Sequence, residues 1–145
     1  LNGDGKYPGF LKMASSFNLA KAQAAICYFS IANYKEAIKL LEDYNQEGDK
    51  VLSVQYLKVL ADAYVYDQQV DKAIETLKEA SVLANNSVLS PAYLLEAGML
   101  LENQGKKEEA LAIYKEIKEK YPQSYLSMQN PYAAQIDKYI ERVSK

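Results

Sequence analysis

Ala63-Tyr64-Val65-Tyr66-Asp67-Gln68-Gln69-Val70-Asp71-Lys72-Ala73-Ile74 decides the fold, because the chain carries near-copies of it on either side. Residues 27–38, from Cys27-Tyr28 to Ala37-Ile38, and residues 100–111, from Leu100-Leu101 to Ala110-Leu111, show the same order of apolar pair, polar turn and amphipathic helix. Ala37, Ala73 and Ala110 stand 36 and 37 residues apart, the period of a helical array. One unit of this length cannot bury its own apolar face. Neighbouring copies must therefore share a continuous core, and their stacking leaves an extended concave surface.

Apolar positions three and four apart run through the rest of the chain with few β-branched stretches, so an all-α fold is expected, an α-α superhelix with a C-terminal capping helix. Pro8 suits the first turn of a short helix to Ser16, with Phe10, Leu11 and Ala14 on one side. The spacing then predicts paired helices over about 19–32 and 34–46, 51–66 and 70–84, and 91–103 and 106–120, followed by a final helix over about 131–143. Asn33, residues 67–69 and Gly105 make the turns inside the pairs, Gly105 at a place that needs positive φ. Ser90 offers a capping hydroxyl ahead of Pro91, and Tyr121-Pro122 stops the sixth paired helix. The organisation expected is one domain: linker and short helix 1–17, hairpin units 18–50, 51–87 and 88–123, and the covering helix 124–145.

At 145 residues, 49% of them hydrophobic, the chain is long enough for one core. Its 17 Lys and Arg are interspersed with 19 Asp and Glu, a net charge of −2 without the basic footprint that nucleic acid requires. No run of about 18 apolar residues occurs, so direct membrane insertion by this segment is not expected. Leu1-Asn2-Gly3-Asp4-Gly5 reads as an internal linker, with any anchor or targeting segment upstream. Cys27, the single cysteine, has no partner for an internal disulfide, and its apolar neighbours predict burial.

The chain has no histidine, which removes the imidazole base, the histidine metal ligand and the nucleophile-histidine pair together. Glu42 with Asp43 and Glu108 with Glu109 are adjacent pairs that point to different helix sides, unlike carboxyls facing across a cleft. Asn2, Asp4 and Gly5 make half of a calcium loop, but Leu11 and Lys12 stand where its glutamate belongs. No catalytic residue, metal or cofactor is expected.

Small residue, Tyr or Leu, turn, then an aromatic and Ala-Ile or Ala-Leu resembles the tetratricopeptide repeat. Ala25, Tyr28, Tyr34, Ala37, Leu41 and Tyr44 carry the pattern in the first unit. Leu57, Leu60, Ala61, Tyr64, Ala73, Leu77 and Ala80 carry it in the second, and Leu94, Gly98, Leu101, Gly105, Ala110, Tyr114, Ile117 and Tyr121-Pro122 in the third. Val70, Lys107 and Leu101 depart from it. The resemblance implies a non-catalytic module that binds a protein or peptide segment, with the first helix of each pair lining the groove.

Its inner places fall on Leu19, Ala22, Ile26 and Phe29, on Gln55, Lys58, Asp62 and Tyr66, and on Ala92, Leu95, Met99 and Glu102. The basic clamp that some members use for a C-terminal carboxylate is missing, since its places hold Ala22, Ile26, Ala92 and Glu96. An apolar segment flanked by charge is the expected ligand. Tyr28, Tyr34, Tyr44, Tyr64 and Tyr114 fall at packing places, leaving Tyr66 as the groove tyrosine. The groove could also be filled by the chain's own terminal helix, and two rivals compete with this reading: a self-assembling spacer, in which the groove or the terminal helix mates with a second copy in a homodimer, and a small carboxylate-dependent hydrolase or glycan-binding helical fragment, the latter using Tyr66 or Phe29. Tyr121-Pro122-Gln123-Ser124 and Ile136-Asp137-Lys138-Tyr139-Ile140-Glu141-Arg142 look like tethered tetratricopeptide proteins of the bacterial cell envelope. That resemblance implies a periplasmic scaffold or assembly factor; a cytoplasmic address is the alternative.

Overall fold

The computed structural model describes residues 8–44, 48–128 and 134–145, with side chains described from Phe17 onward. Seven helices and no strand are present among them: α1 (Pro8–Ser30), α2 (Tyr34–Glu42), α3 (Lys50–Tyr66), α4 (Val70–Ala84), α5 (Leu89–Asn103), α6 (Lys107–Lys120) and α7 (Gln135–Ser144). Each helix packs on the next in the chain, and α1 also touches α3. The result is a row of antiparallel hairpins in an all-α, tetratricopeptide-like repeat architecture.

One turn geometry makes all three hairpins. The amide of Asn33 donates to the Tyr28 carbonyl and that of Ala32 to Phe29; Gln69 and Gln68 repeat these bonds to Tyr64 and Val65, and Lys106 and Gly105 to Leu101 and Glu102. This six-to-one and five-to-two pair satisfies carbonyls that the helix end would orphan, and it requires a left-handed residue. Ala32, Gln68 and Gly105 hold that place, at φ 60°, 63° and 77°. Only Gly105 announced it in the sequence.

The core is divided by α3, which is apolar around most of its circumference because helices lie on two sides of it. Tyr56, Leu60, Ala63 and Tyr64 pack with Ala22, Ala25, Ile38 and Leu41 of the first hairpin. Val54, Leu57 and Ala61 join Ile74, Leu77, Leu94, Leu101, Tyr114 and Ile117 in the larger cluster. That cluster is closed by Ile136 and Val143 of α7, which packs on α6.

Several expectations are corrected. α1 is one helix of 23 residues where two were expected, because Ser16 to Asn18 contain neither glycine nor proline and weak helix formers alone do not stop a helix. α2 stops at Glu42, short of residue 46. Leu89 and not Pro91 opens α5: Asn86 Oδ1 accepts from the Val88 and Leu89 amides, while Ser90 Oγ is buried and donates to the Ser81 carbonyl. α7 starts at Gln135 because Ala134 is extended. Cys27 is exposed, and Tyr28 is more exposed than a packing place implies. Both lie on a face of α1 whose repeat equivalents, Ala63-Tyr64 and Leu100-Leu101, are covered by a preceding hairpin. The linker at Leu1 to Gly5, the half calcium loop, the side chains of Phe10, Leu11 and Ala14, and Asn130-Pro131 lie outside the described residues.

Candidate functional site

Lys58, Asp62 and Tyr66 follow one another at four-residue intervals, which puts them on a single stripe of α3, one turn apart. Glu96, Met99 and Asn103 make the facing stripe on α5. Together with Phe29 of α1, and with Val65, Leu77 and Leu100 as an apolar floor, they line a cavity of about 570 Å³. A space of this size takes several side chains of a ligand. α1, α3 and α5 thus present a common inner wall.

The charged part of the wall is one cation held between two anions. Lys58 Nζ lies 2.6 Å from Asp62 Oδ1 and 3.2 Å from Glu96 Oε2, tying α3 to α5 across the cavity. Burial pulls the Lys58 ammonium toward a lower pKa, but the bonds to Asp62 and Glu96 outweigh it and hold it above its ordinary value. Nearby, burial pushes the Tyr93 hydroxyl up, with Glu96 and Asp62 adding to the effect against Lys58.

The aromatic part is a three-ring cluster. Tyr66 stacks on Tyr34 with centroids 4.9 Å apart and planes 11° from parallel, and Phe29 meets both edge-on at 5.4 and 5.8 Å. Although two rings hold it, Tyr66 remains 61% exposed. Such a ring offers contact area with little ordering left to do on binding.

Phe29, Lys58, Asp62, Tyr66 and Met99 are the expected inner residues that the structure brings together here. Ala22 is fully buried in the first-hairpin core and does not reach the groove. Ile26 and Leu19 are exposed on α1 and Gln55 on α3, outside the cavity; Ala92 is half-buried, also outside it. Leu95 and Glu102 are displaced by rotation of α5. Leu95 turns to the core, and the stripe facing the cavity is shifted by one residue, to Glu96 and Asn103. Glu102 is taken by the end of the stack: it accepts from Tyr114 Oη at 3.0 Å and from Arg142 Nε and Nη2 at 2.7 Å each. The Arg142 bond and the Tyr114 bond hold its carboxyl below the usual range against the effect of burial. Glu96 carried one signal in the sequence, its place in the missing basic clamp; nothing marked Asn103.

A second, shallower cavity of about 520 Å³ lies between Lys50, Lys78, Glu79, Val82, Leu83 and Asn85. It has no aromatic residue, and its charged lining is one carboxylate and two lysines. Among the described residues no group of three or more Cys, Asp or Glu is placed to hold a metal ion, and no helix is long and apolar enough to cross a membrane.

Residues 92–124, from the fourth residue of α5 through α6 to Ser124, match the family model described as tetratricopeptide repeat. No curated protein matches the chain. Repeats of this family generally mediate protein–protein interaction.

Proposed function

From a stack whose third hairpin matches the tetratricopeptide repeat model, we propose that the chain is a non-catalytic interaction module holding a peptide or protein segment in the groove between α1, α3 and α5. The observation that carries this is the convergence of three separate hairpins on one cavity, with Tyr66 and Met99 exposed and Phe29 half-buried beside the charged Lys58 group. α7, a competing occupant, packs against α6. Selection of displayed random peptides on the protein tests the reading. Enriched peptides should lose at least about tenfold in affinity, roughly 1.4 kcal/mol, on the Tyr66→Ala/Met99→Lys variant while its circular dichroism is unchanged. Equal binding by that folded variant would refute the groove.

A scaffold or assembly role in the bacterial cell envelope, on the periplasmic side, is part of the proposal. Its support is the resemblance of Tyr121-Pro122-Gln123-Ser124 and of the 136–142 segment; fractionation of the source cells tests it, and recovery in the cytoplasm would remove it. The exposed face of α1, with Phe17 and Cys27, and Ile31 in the turn after it, favours a second reading, self-association into a spacer. Light scattering over a range of concentrations distinguishes a monomer from that assembly.

A further inference from the structure

We infer that the groove selects a cationic segment, one in which a lysine or arginine stands two residues from an aromatic or large aliphatic side chain. The inference rests on the interaction reading above and gives its ligand a chemistry. Of the charged side chains lining the cavity, Asp62 and Glu96 are anions and Lys58 is the cation, so the walls carry one uncompensated negative charge. Lys58 Nζ meets one oxygen of each carboxylate. The second oxygen of each remains available to accept from an incoming guanidinium or ammonium. An acidic ligand finds the opposite arrangement: its only cation is already shared, and two carboxylates oppose it.

The aromatic cluster sets the second half of the motif. Tyr66 lies one helical turn beyond Asp62 on the same stripe, about 6 Å along the wall. Two residues of extended peptide cover about 6.6 Å and return the side chain to the same side. A basic residue bonded at Asp62 therefore places its neighbour two positions away over Tyr66 and Phe29, whose rings Tyr34 holds in place. Lys58 is then the groove's resident counterion, the cation a ligand must compete with, and its removal should tighten binding.

Three peptides of the form Gly-Ala-X-Ala-Leu-Ala-X-Ala-Leu-Gly, with X as Arg, Gln or Glu, test this by fluorescence anisotropy. The Arg peptide should bind about tenfold tighter than the Gln peptide, and the Glu peptide weakest, with the Arg preference falling as salt is raised. In Asp62→Asn/Glu96→Gln the Arg preference should fall to about twofold or less, while in Lys58→Met the Arg peptide should bind severalfold tighter, circular dichroism confirming both folds. If the Gln or Glu peptide binds as tightly as the Arg peptide, and Tyr66→Ala/Met99→Lys abolishes that binding, the charge inference is wrong and the groove reading stands. An Arg preference untouched by Asp62→Asn/Glu96→Gln and by Tyr66→Ala/Met99→Lys places binding elsewhere and overturns the inference. Absence of binding by all three at millimolar concentration overturns the inference and the groove reading together.

Discussion

The third hairpin and the first are built on the same turn, yet one is sealed and the other is open. In α5 and α6, Leu101, Tyr114 and Ile117 are almost wholly buried, between α4 on one side and α7 on the other. In the first hairpin, Phe17 of α1 is 63% and Ile31 of the turn after it 73% exposed, and Cys27 and Tyr28 face out beside them. The two ends differ in the same way. α7 turns Ile136 and Val143 inward and leaves Lys138, Glu141 and Arg142 outside, whereas α1 carries apolar residues on both its inner and outer sides. A repeat thus takes its stability from neighbours rather than from its own sequence, and a helix at the end of a row keeps an oily face unless another element covers it.

The largest expected effect lies in the sealed hairpin. A methyl group at Gly98 would run into Cε1 of the Tyr114 ring, which is fully buried. Gly98→Ala should therefore destabilise the protein by about 1 to 3 kcal/mol in denaturant unfolding, despite alanine being the better helix former. An unchanged midpoint would mean that the α5–α6 crossing has room for a methyl group.

A smaller effect should appear in acid. Arg142 holds the Glu102 carboxyl below its ordinary range, and the folded pKa is thus lower than the unfolded one. The contribution of this pair is complete above the unfolded glutamate value of about 4.3 and is lost as pH falls through the lower folded value. Asp43 is depressed in the same direction by Lys21, but its side chain is 67% exposed against 19% for Glu102, so solvent weakens its pair. Glu102→Gln should flatten the fall in unfolding midpoint between neutral pH and about pH 3, and Asp43→Asn should leave it nearly unchanged. The reverse ranking would break the contrast between the ends.

The smallest effect belongs to the open hairpin: Phe17→Ser and Ile31→Ser should each shift stability by no more than about 0.5 kcal/mol, since little apolar surface is withdrawn from water at either place. A loss comparable to that of Gly98→Ala would show that another surface covers α1 in solution.

Where a helix is bounded by strong local signals, the sequence was sufficient. α4 runs from Val70 to Ala84 as read, between Asp67-Gln68-Gln69 and Asn85-Asn86, and α6 ends at Tyr121-Pro122. What was not legible depended on neighbours. Cys27 is apolar by local context, but it is exposed because none of the described helices packs on that side of α1. The spacing of Leu95, Met99 and Glu102 makes a sound helical stripe, as does that of Glu96, Met99 and Asn103; core contacts of Leu95 and the pull of Arg142 on Glu102 choose between them. Ala32 and Gln68 take a left-handed conformation that their types do not advertise, because the six-to-one turn imposes it. The α3 stripe was readable because it lies in the middle of the row, with hairpins on both sides.

The central claim is that ligand is held by the inner wall of α1, α3 and α5, and amide and methyl NMR shifts during titration with a selected peptide test it most directly. The account predicts that the largest shifts fall on Phe29, Asp62, Tyr66, Met99 and Asn103, with α4 residues Lys78, Glu79 and Val82 unmoved. Shifts centred instead on Lys50, Val82 and Leu83, or along Phe17 and Ile31, with the inner wall silent, would contradict it.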